Sequence, residues 1–172
     1  TGTIRLNGTE LDLTGEDSDA QTRRTRGISH VPEDRQAEGL IMDFHAWENM
    51  VFGYHHDPAY QKNSLLMDNE AIRTETAAKM KRFDVRPPNP MLAAKSFSGG
   101  NQQKVLFARA LASAAPVVVM DDPMRGVDVG TKQEVYGMIR EEAAKGRTFL
   151  WYTTEMDELR NCDHVYVFRE GA

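Results

Sequence analysis

The sequence predicts an α/β fold, a parallel sheet layered with helices, and three observations carry that prediction. Short apolar runs at residues 117–120 (VVVM), 148–152 (TFLWY) and 164–168 (HVYVF) have the length and the β-branched or aromatic content of strands. Helical patterns separate them, so the second half reads helix–strand–helix–strand–helix–strand, the alternation of a parallel layer. The chain of 172 residues, 40% hydrophobic and 27% charged, is long enough to bury one domain core.

Taken in order, residues 3–13 (TIRLNGTELDL) alternate around Asn7–Gly8, which predicts an antiparallel β-hairpin. Residues 18–26 are polar and suit a short surface helix, and 27–32 (GISHVP) a strand ended by proline. Residues 33–39 (EDRQAEG) read as a charged loop. Trp47, Val51 and Tyr54 share one helical face within 44–54. Residues 57–64 read as a polar linker. Asp68 is placed to cap a helix striped by Ile72, Thr76, Met80 and Phe83, and the run RPPNP at 86–90 stops it. A Ser-Gly-Gly turn at 98–100 opens the next helix, which is apolar on most sides over 105–111 and so predicted to be buried. The all-apolar strand at 117–120 belongs in a covered sheet. Thr131-x-x-Glu134 resembles a capping box, ahead of a helix striped by Val135, Met138, Ile139 and Ala143 and closed by Gly146. Residues 156–161 form a short helix before the last strand. Residues 33–95 hold helices and no convincing strand, so they read as a helical insertion into the α/β body.

The formal charge of −5 argues against bulk attraction to nucleic acid or anionic lipid. No apolar run approaches a membrane span; the longest lies around 114–120. No charged-then-apolar signal segment is recognised. The single cysteine, Cys162, has no partner for an internal disulfide, which fits a reducing compartment.

Two segments carry chemistry. A Ser-Gly-Gly turn at a helix start aims backbone N–H groups at one spot, and the helix dipole makes that spot favour an anion such as phosphate. A buried strand ending in Asp121 and Asp122 places carboxylates at a sheet edge, where Mg²⁺ and water can be held. Together they point to nucleotide triphosphate chemistry. Ser98-Gly99-Gly100-Asn101-Gln102-Gln103-Lys104, then Asp121-Asp122-Pro123-Met124-Arg125-Gly126-Val127-Asp128-Val129-Gly130, resemble the ATP-binding cassette family, in particular the second cassette of bacterial sugar importers of the ribose/galactose type. The strings V-P-E-D-R at 31–35, E-G-L at 38–40 and E-N-M at 48–50 fit the same subfamily.

The resemblance implies a partial RecA-like P-loop NTPase core, residues 1–32 and 113–172, with a helical subdomain at 33–112 that includes the signature helix. It implies ATP and Mg²⁺ as cofactors. Ser98, Gly99 and Gly100 would grip the γ-phosphate of an ATP held mainly by another cassette, with Gln102 among the cofactor-binding residues. Asp121 would act on Mg²⁺ through water, and Asp128 would belong to the loop that crosses the cassette interface. Glu33 falls where many members have a glutamine linking nucleotide to the membrane subunit, and Thr154 where many have a switch histidine. The implied partners are a second cassette, a transmembrane sugar permease and, indirectly, a periplasmic sugar-binding protein, at the cytoplasmic face of an inner membrane. No nucleic acid is expected.

Three departures stand out. No G-x-x-x-x-G-K-[ST] occurs, so the expectation is a piece that starts after its own P-loop and stops soon after its last matching strand. Asp122 replaces the usual glutamate; one missing methylene withdraws the carboxylate by about an ångström, which can cost on the order of 10²-fold in rate. Thr154 lacks a titratable ring, and the Glu33 anion is unfavourable near a triphosphate unless a cation intervenes. These departures predict an impaired site of its own beside an intact signature turn, with Asp122 a weakened general base, or one rescued by a rearranged water. Two rival functions are a non-catalytic half-cassette that only binds its partner, and a cassette ATPase acting on nucleic acid or ribosomes. Elsewhere, His55-His56-Asp57 fits a surface linker better than a metal site. Arg23, Arg24 and Arg26 form a basic cluster, a solvated face by default and a phosphate contact otherwise. Trp47 and Phe52 read as core, or as anchors for the permease that the resemblance places nearby.

Overall fold

The computed structural model describes residues 3–11, 15, 19–63 and 66–169. Strands β1 (Ile4–Leu6) and β2 (Thr9–Leu11) pair antiparallel around Asn7 and Gly8, whose positive φ angles of 50° and 80° supply the tight turn the alternation called for. Asp19 caps α1 (Ala20–Thr25) by accepting from the Gln21 and Thr22 N–H groups.

The sheet that positions the site has three parallel strands, β3 (Ile28–Val31), β6 (Val117–Asp121) and β7 (Thr148–Tyr152), in the order β3-β6-β7. Between β3 and β6 the chain builds α2 (Ala46–Val51), the short pair β4 (Gln61–Asn63) and β5 (Leu66–Met67), α3 (Asn69–Arg82) and α4 (Gly99–Ala112). Helix α5 (Val129–Ala144) joins β6 to β7. Alternation divides the sheet. Ser29, Val31, Val118 and Met120 face the helices and are buried, with Phe149 and Trp151 packed against the same core. Their neighbours Ile28, His30, Val117, Val119, Leu150 and Tyr152 lie on the other face, where Leu150 and Tyr152 are 63% and 60% exposed. The covered sheet expected around β6 is therefore covered on one face only, among the described residues.

Helix α4 is the axis of the molecule. Val105, Leu106, Phe107, Ala108, Ala110 and Leu111 are all buried, as the apolar run predicts. One core joins them to the sheet, to Met80, Phe83 and Val85 from the α3 end, and to Val135 and Ile139 of α5. A second cluster holds Val51, Tyr60 and Ile72, with Trp47 and Tyr54 against it, so the predicted face of α2 is used.

Several local expectations are corrected. Residues 33–39 are not an open loop: Asp34 caps a π-helical turn, Arg35–Gly39. The middle contains strands after all, because Tyr60 closes a 3-10 turn, Pro58–Tyr60, that leads straight into the β4–β5 pair. Helix α3 does not run to the prolines. It ends at a Schellman turn in which the Val85 N–H donates to the Met80 carbonyl and Asp84 takes φ 49°. Thr131 and Glu134 do not form a capping box: Asp128 is the N-cap, accepting from the Thr131 N–H at 3.0 Å, and Glu134 pairs with Lys104. Ala143 is exposed and Glu142 is buried in its place, where the cations of Arg82, Lys145 and Arg147 surround its carboxylate. Residues 164–168 pair with no strand among the described residues, and Tyr166, Val167 and Phe168 are more than 80% exposed. The α1 helix, the Asp68 cap, the α3 stripe and the Gly146 end of α5 stand as expected.

Candidate functional site

The site begins at the first turn of α4. Ser98, in extended backbone, is the N-cap; its hydroxyl accepts from the Asn101 N–H at 3.4 Å and from Asn101 Nδ2 at 2.9 Å. The first N–H groups of a helix have no intrahelical partner, so those of Gly99 and Gly100 point outward with the positive end of the dipole. Ser98 is exposed and both glycines are half-exposed, which leaves the elbow open to a facing molecule. Its flanks are crowded. A Cβ on Gly99 would lie 2.8 Å from Arg35 Nη2, and one on Gly100 would lie 2.6 Å from Thr131 Oγ1 and 3.2 Å from Asp128 Oδ2. At Gly100 the approach favours glycine, whereas at Gly99 the Arg35 tip can swing aside. Asp128 thus caps α5 and stands beside the elbow at once. The Thr131 N–H and hydroxyl hold its carboxyl below the usual range.

The polar string after the glycines is used inside the molecule. Asn101 Oδ1 accepts from the Arg86 N–H at 2.7 Å. Gln102 is 4% exposed; its Nε2 donates to the Ala94 and Phe97 carbonyls and its Oε1 accepts from Gln36. Gln102 is expected among the cofactor-binding residues; here both ends of its amide are engaged in shaping loops. Gln103 Nε2 donates to the Pro123 carbonyl at 2.6 Å, which ties α4 to the loop behind Asp122. Lys104 is buried between Asp84 and Glu134.

The second group sits at the carboxyl end of β6. Asp121 is exposed and lies opposite Tyr152 of β7. Asp122 is 7% exposed, with φ 37°, a left-handed conformation that a short polar side chain tolerates best. Its N–H donates to the Tyr152 carbonyl at 2.9 Å and its Oδ2 accepts from the Thr154 hydroxyl at 3.4 Å. Its Oδ1 is buried without a partner. The fold therefore brings Asp121, Asp122 and Thr154 together, and separately Ser98, Gly99, Gly100 and Asp128.

Glu33 joins the two groups. Its carboxylate pairs with the Arg125 guanidinium, and Arg35 Nη1 donates to the Arg125 carbonyl at 3.4 Å. The cation that an acid needs at this position is Arg125. Arg35, Gln103 and Arg125 are the residues that sequence reasoning missed. The opposite charges of E-D-R and R-G-V-D were visible, but partners 92 residues apart cannot be matched without the fold. Of the two aromatics, Trp47 lies in the second core under the Arg73 guanidinium, and Phe52 is 53% exposed. No described helix is long and apolar enough to cross a membrane, and among the described residues no group of three or more His, Cys, Asp or Glu could hold a metal.

Comparison with known proteins places this geometry. The chain is 36% identical over 170 residues to a ribose import ATP-binding protein of Burkholderia ambifaria, covering 98% of the chain and 32% of that protein. A ribose import ATP-binding protein of Bacillus cereus is 37% identical over 171 residues, with 99% and 33% covered. The chain thus spans about a third of the length of the curated relatives it matches. Among solved structures, a nucleotide-free ATP-binding cassette superposes with TM-score 0.76 at 24% identity over 99% of this chain and 67% of that one. A dimeric post-hydrolysis cassette bound to ADP and Pi gives 0.71 at 21% identity, over 94% and 66%. These establish the fold as that of ABC ATPase cassettes, a P-loop NTPase fold. The family model described as ABC transporter matches residues 1–125, and the chain belongs to that family.

Proposed function

We propose that this chain supplies the signature elbow, Ser98, Gly99 and Gly100, to an ATP carried by a partner cassette in a sugar import system. The observation that carries the reading is the accessible start of α4: an exposed Ser98 hydroxyl and two outward N–H groups. The kinship to ribose import ATP-binding proteins supports sugar as the cargo class and a membrane permease, served by a periplasmic binding protein, as the further partners. The chain would then work at the cytoplasmic face of the membrane, with residues 33–112 as the helical part that faces the permease through Phe52.

The strand-end carboxylates fit Mg²⁺. The orphaned Oδ1 of Asp122 and the exposed Asp121 give an acidic edge of the kind this ion uses, since it keeps several waters and takes only one or two protein carboxylates. When bound, the ion neutralises developing charge on the transferred phosphoryl group. Asp121 would hold it through water. Asp122 would orient the attacking water and accept its proton, and Thr154 would steady Asp122. One methylene shorter than the usual glutamate, the Asp122 carboxylate stands back from the water it would orient, so this half contributes chiefly in trans.

Steady-state ATPase assays test the proposal. The chain alone is expected to show no turnover, and a rate that vanishes in Asp121→Asn would overturn it. Added to a cassette that carries a P-loop, the chain should raise turnover, and Ser98→Arg should abolish the gain. Co-purification with nucleic acid in place of a permease would favour the rival reading.

A further inference from the structure

Arginines 24 and 109 pose a problem that the proposed reaction does not solve. Arg109 belongs to the buried stretch of α4, and its one hydrogen bond is a long 3.4 Å contact from Nη1 to the Asn49 carbonyl. Burial lowers its guanidinium to about 10, with Tyr54 opposing and Arg24 adding to the fall. Arg24 lies 5.7 Å over the Tyr54 ring, and its Nε is buried without a partner. It presses so closely on Gly53 that a Cβ there would sit 2.8 Å from the guanidinium carbon. Among the described residues neither arginine forms an ion pair. Both arginines are half-buried, and cations drawn this far from water are usually paired.

Both arginines open into one pocket of about 510 Å³. Its walls mix the apolar and aromatic side chains of Ile28, Phe52, Tyr54 and Val119 with the polar groups of Arg23, His30 and Glu38. We propose that this pocket binds a carboxylate borne on an apolar scaffold, held between the Arg24 and Arg109 guanidinium groups with its hydrocarbon against Phe52, Ile28 and Val119. The Glu38 carboxylate repels a dianion more than a monoanion, which favours carboxylate over phosphate. A guanidinium fork matches the planar carboxylate in geometry as well as charge. The site is separate from the elbow and goes beyond the proposed function: it stands whatever the ATPase assays return.

The carboxylate has two sources, a free small molecule or an acidic side chain on a partner protein. The full chain, labelled with ¹⁵N, is titrated with butyrate, with inorganic phosphate, and with an amphipathic peptide carrying one glutamate. The Nε–Hε resonances of Arg24 and Arg109 are followed. Saturable shifts with butyrate, on the order of millimolar, support a small-molecule source. Saturation by the peptide at tenfold or more lower concentration supports a partner chain. Silence with both, or phosphate binding as tightly as either, overturns the proposal. Thermal unfolding gives a second readout. Arg109→Met should melt about 2–4 °C higher than the wild type and lose the ligand-induced rise, because it removes a bare charge. A lower melting temperature would make Arg109 a structural residue and defeat the idea. Arg24→Gln, in case Arg109→Met does not fold, should keep wild-type stability and lose butyrate and peptide binding; retained binding counts against the site.

Discussion

Gly100 shows how little room the elbow has. With Thr131 Oγ1 only 2.6 Å from where its Cβ would be, an alanine must push the start of α5 away. Such overpacking costs about 1–3 kcal/mol. Gly100→Ala is expected to lower the urea midpoint by a corresponding amount and to remove the gain given to a partner cassette, while Gly137→Ala, which meets nothing within 4 Å, should do neither. Equal loss in both variants would mean that the close approach does not govern the position, since helix propensity by itself favours alanine at both. Glu33 makes a related point about charge. An acid there looked wrong for a phosphate site, and Arg125 resolves it by pairing with that acid.

At the level of elements, helix ends carry much of the specificity. Asp19, Asp34, Asp68 and Asp128 each cap a helix or turn, and sequence identified the third and surrounded the fourth. The capping box at Thr131 failed because Asp128, three residues earlier, offers a carboxylate to the same N–H. Helices α3 and α5 are tied by Glu142, buried and bonded to Arg82 at 2.5 Å, Lys145 at 2.8 Å and Arg147 at 3.1 Å. Removing the acid strands three cations on one spot. Glu142→Ala should cost about 3–5 kcal/mol in chemical denaturation, the range for breaking a buried pair, discounted toward its lower end because Arg82 and Lys145 are half-exposed. A loss under 1 kcal/mol would show the cage to be solvated.

For the molecule as a whole, two consequences follow from exposure and charge. The carboxyls of Asp19, Asp34 and Asp128 sit below 3.8 because their hydrogen bonds favour the charged form. Their stabilisation is present above that value and lost as pH falls through their lowered folded values. Burial pushes Glu158 above 4.5, so its protonation favours the folded state, and stability rises as pH falls from its raised value toward 4.5. Relative to Glu158→Gln, the wild type should therefore gain melting temperature on mild acidification, with the burial-lowered His30 imidazole opposing in both proteins, and both should drop once pH falls below about 3.8. Coincident curves for the two proteins would refute this balance. The open sheet face is the second consequence. Leu150 and Tyr152 on β7, with Tyr166, Val167 and Phe168 beyond it, expose apolar surface that water disfavours. Light scattering should show concentration-dependent self-association, reduced in a Leu150→Lys, Tyr152→Lys double variant. A monomer at every concentration would argue that the face is adequately solvated.

Local and periodic information determined the hairpin, the strands at 27–32, 117–120 and 148–152, and the burial of α4, because turn chemistry and hydrophobic period act within a few residues. What the tertiary structure decided are the facts that need two distant segments at once. It alone showed that Glu33 meets Arg125, that Gln102, Gln103 and Lys104 work as internal struts, that residues 164–168 find no neighbouring strand among the described residues, and that Arg24 and Arg109 converge on one pocket. Pairing across the chain depends on which side chains share a desolvated space, and that space exists only once the core has closed.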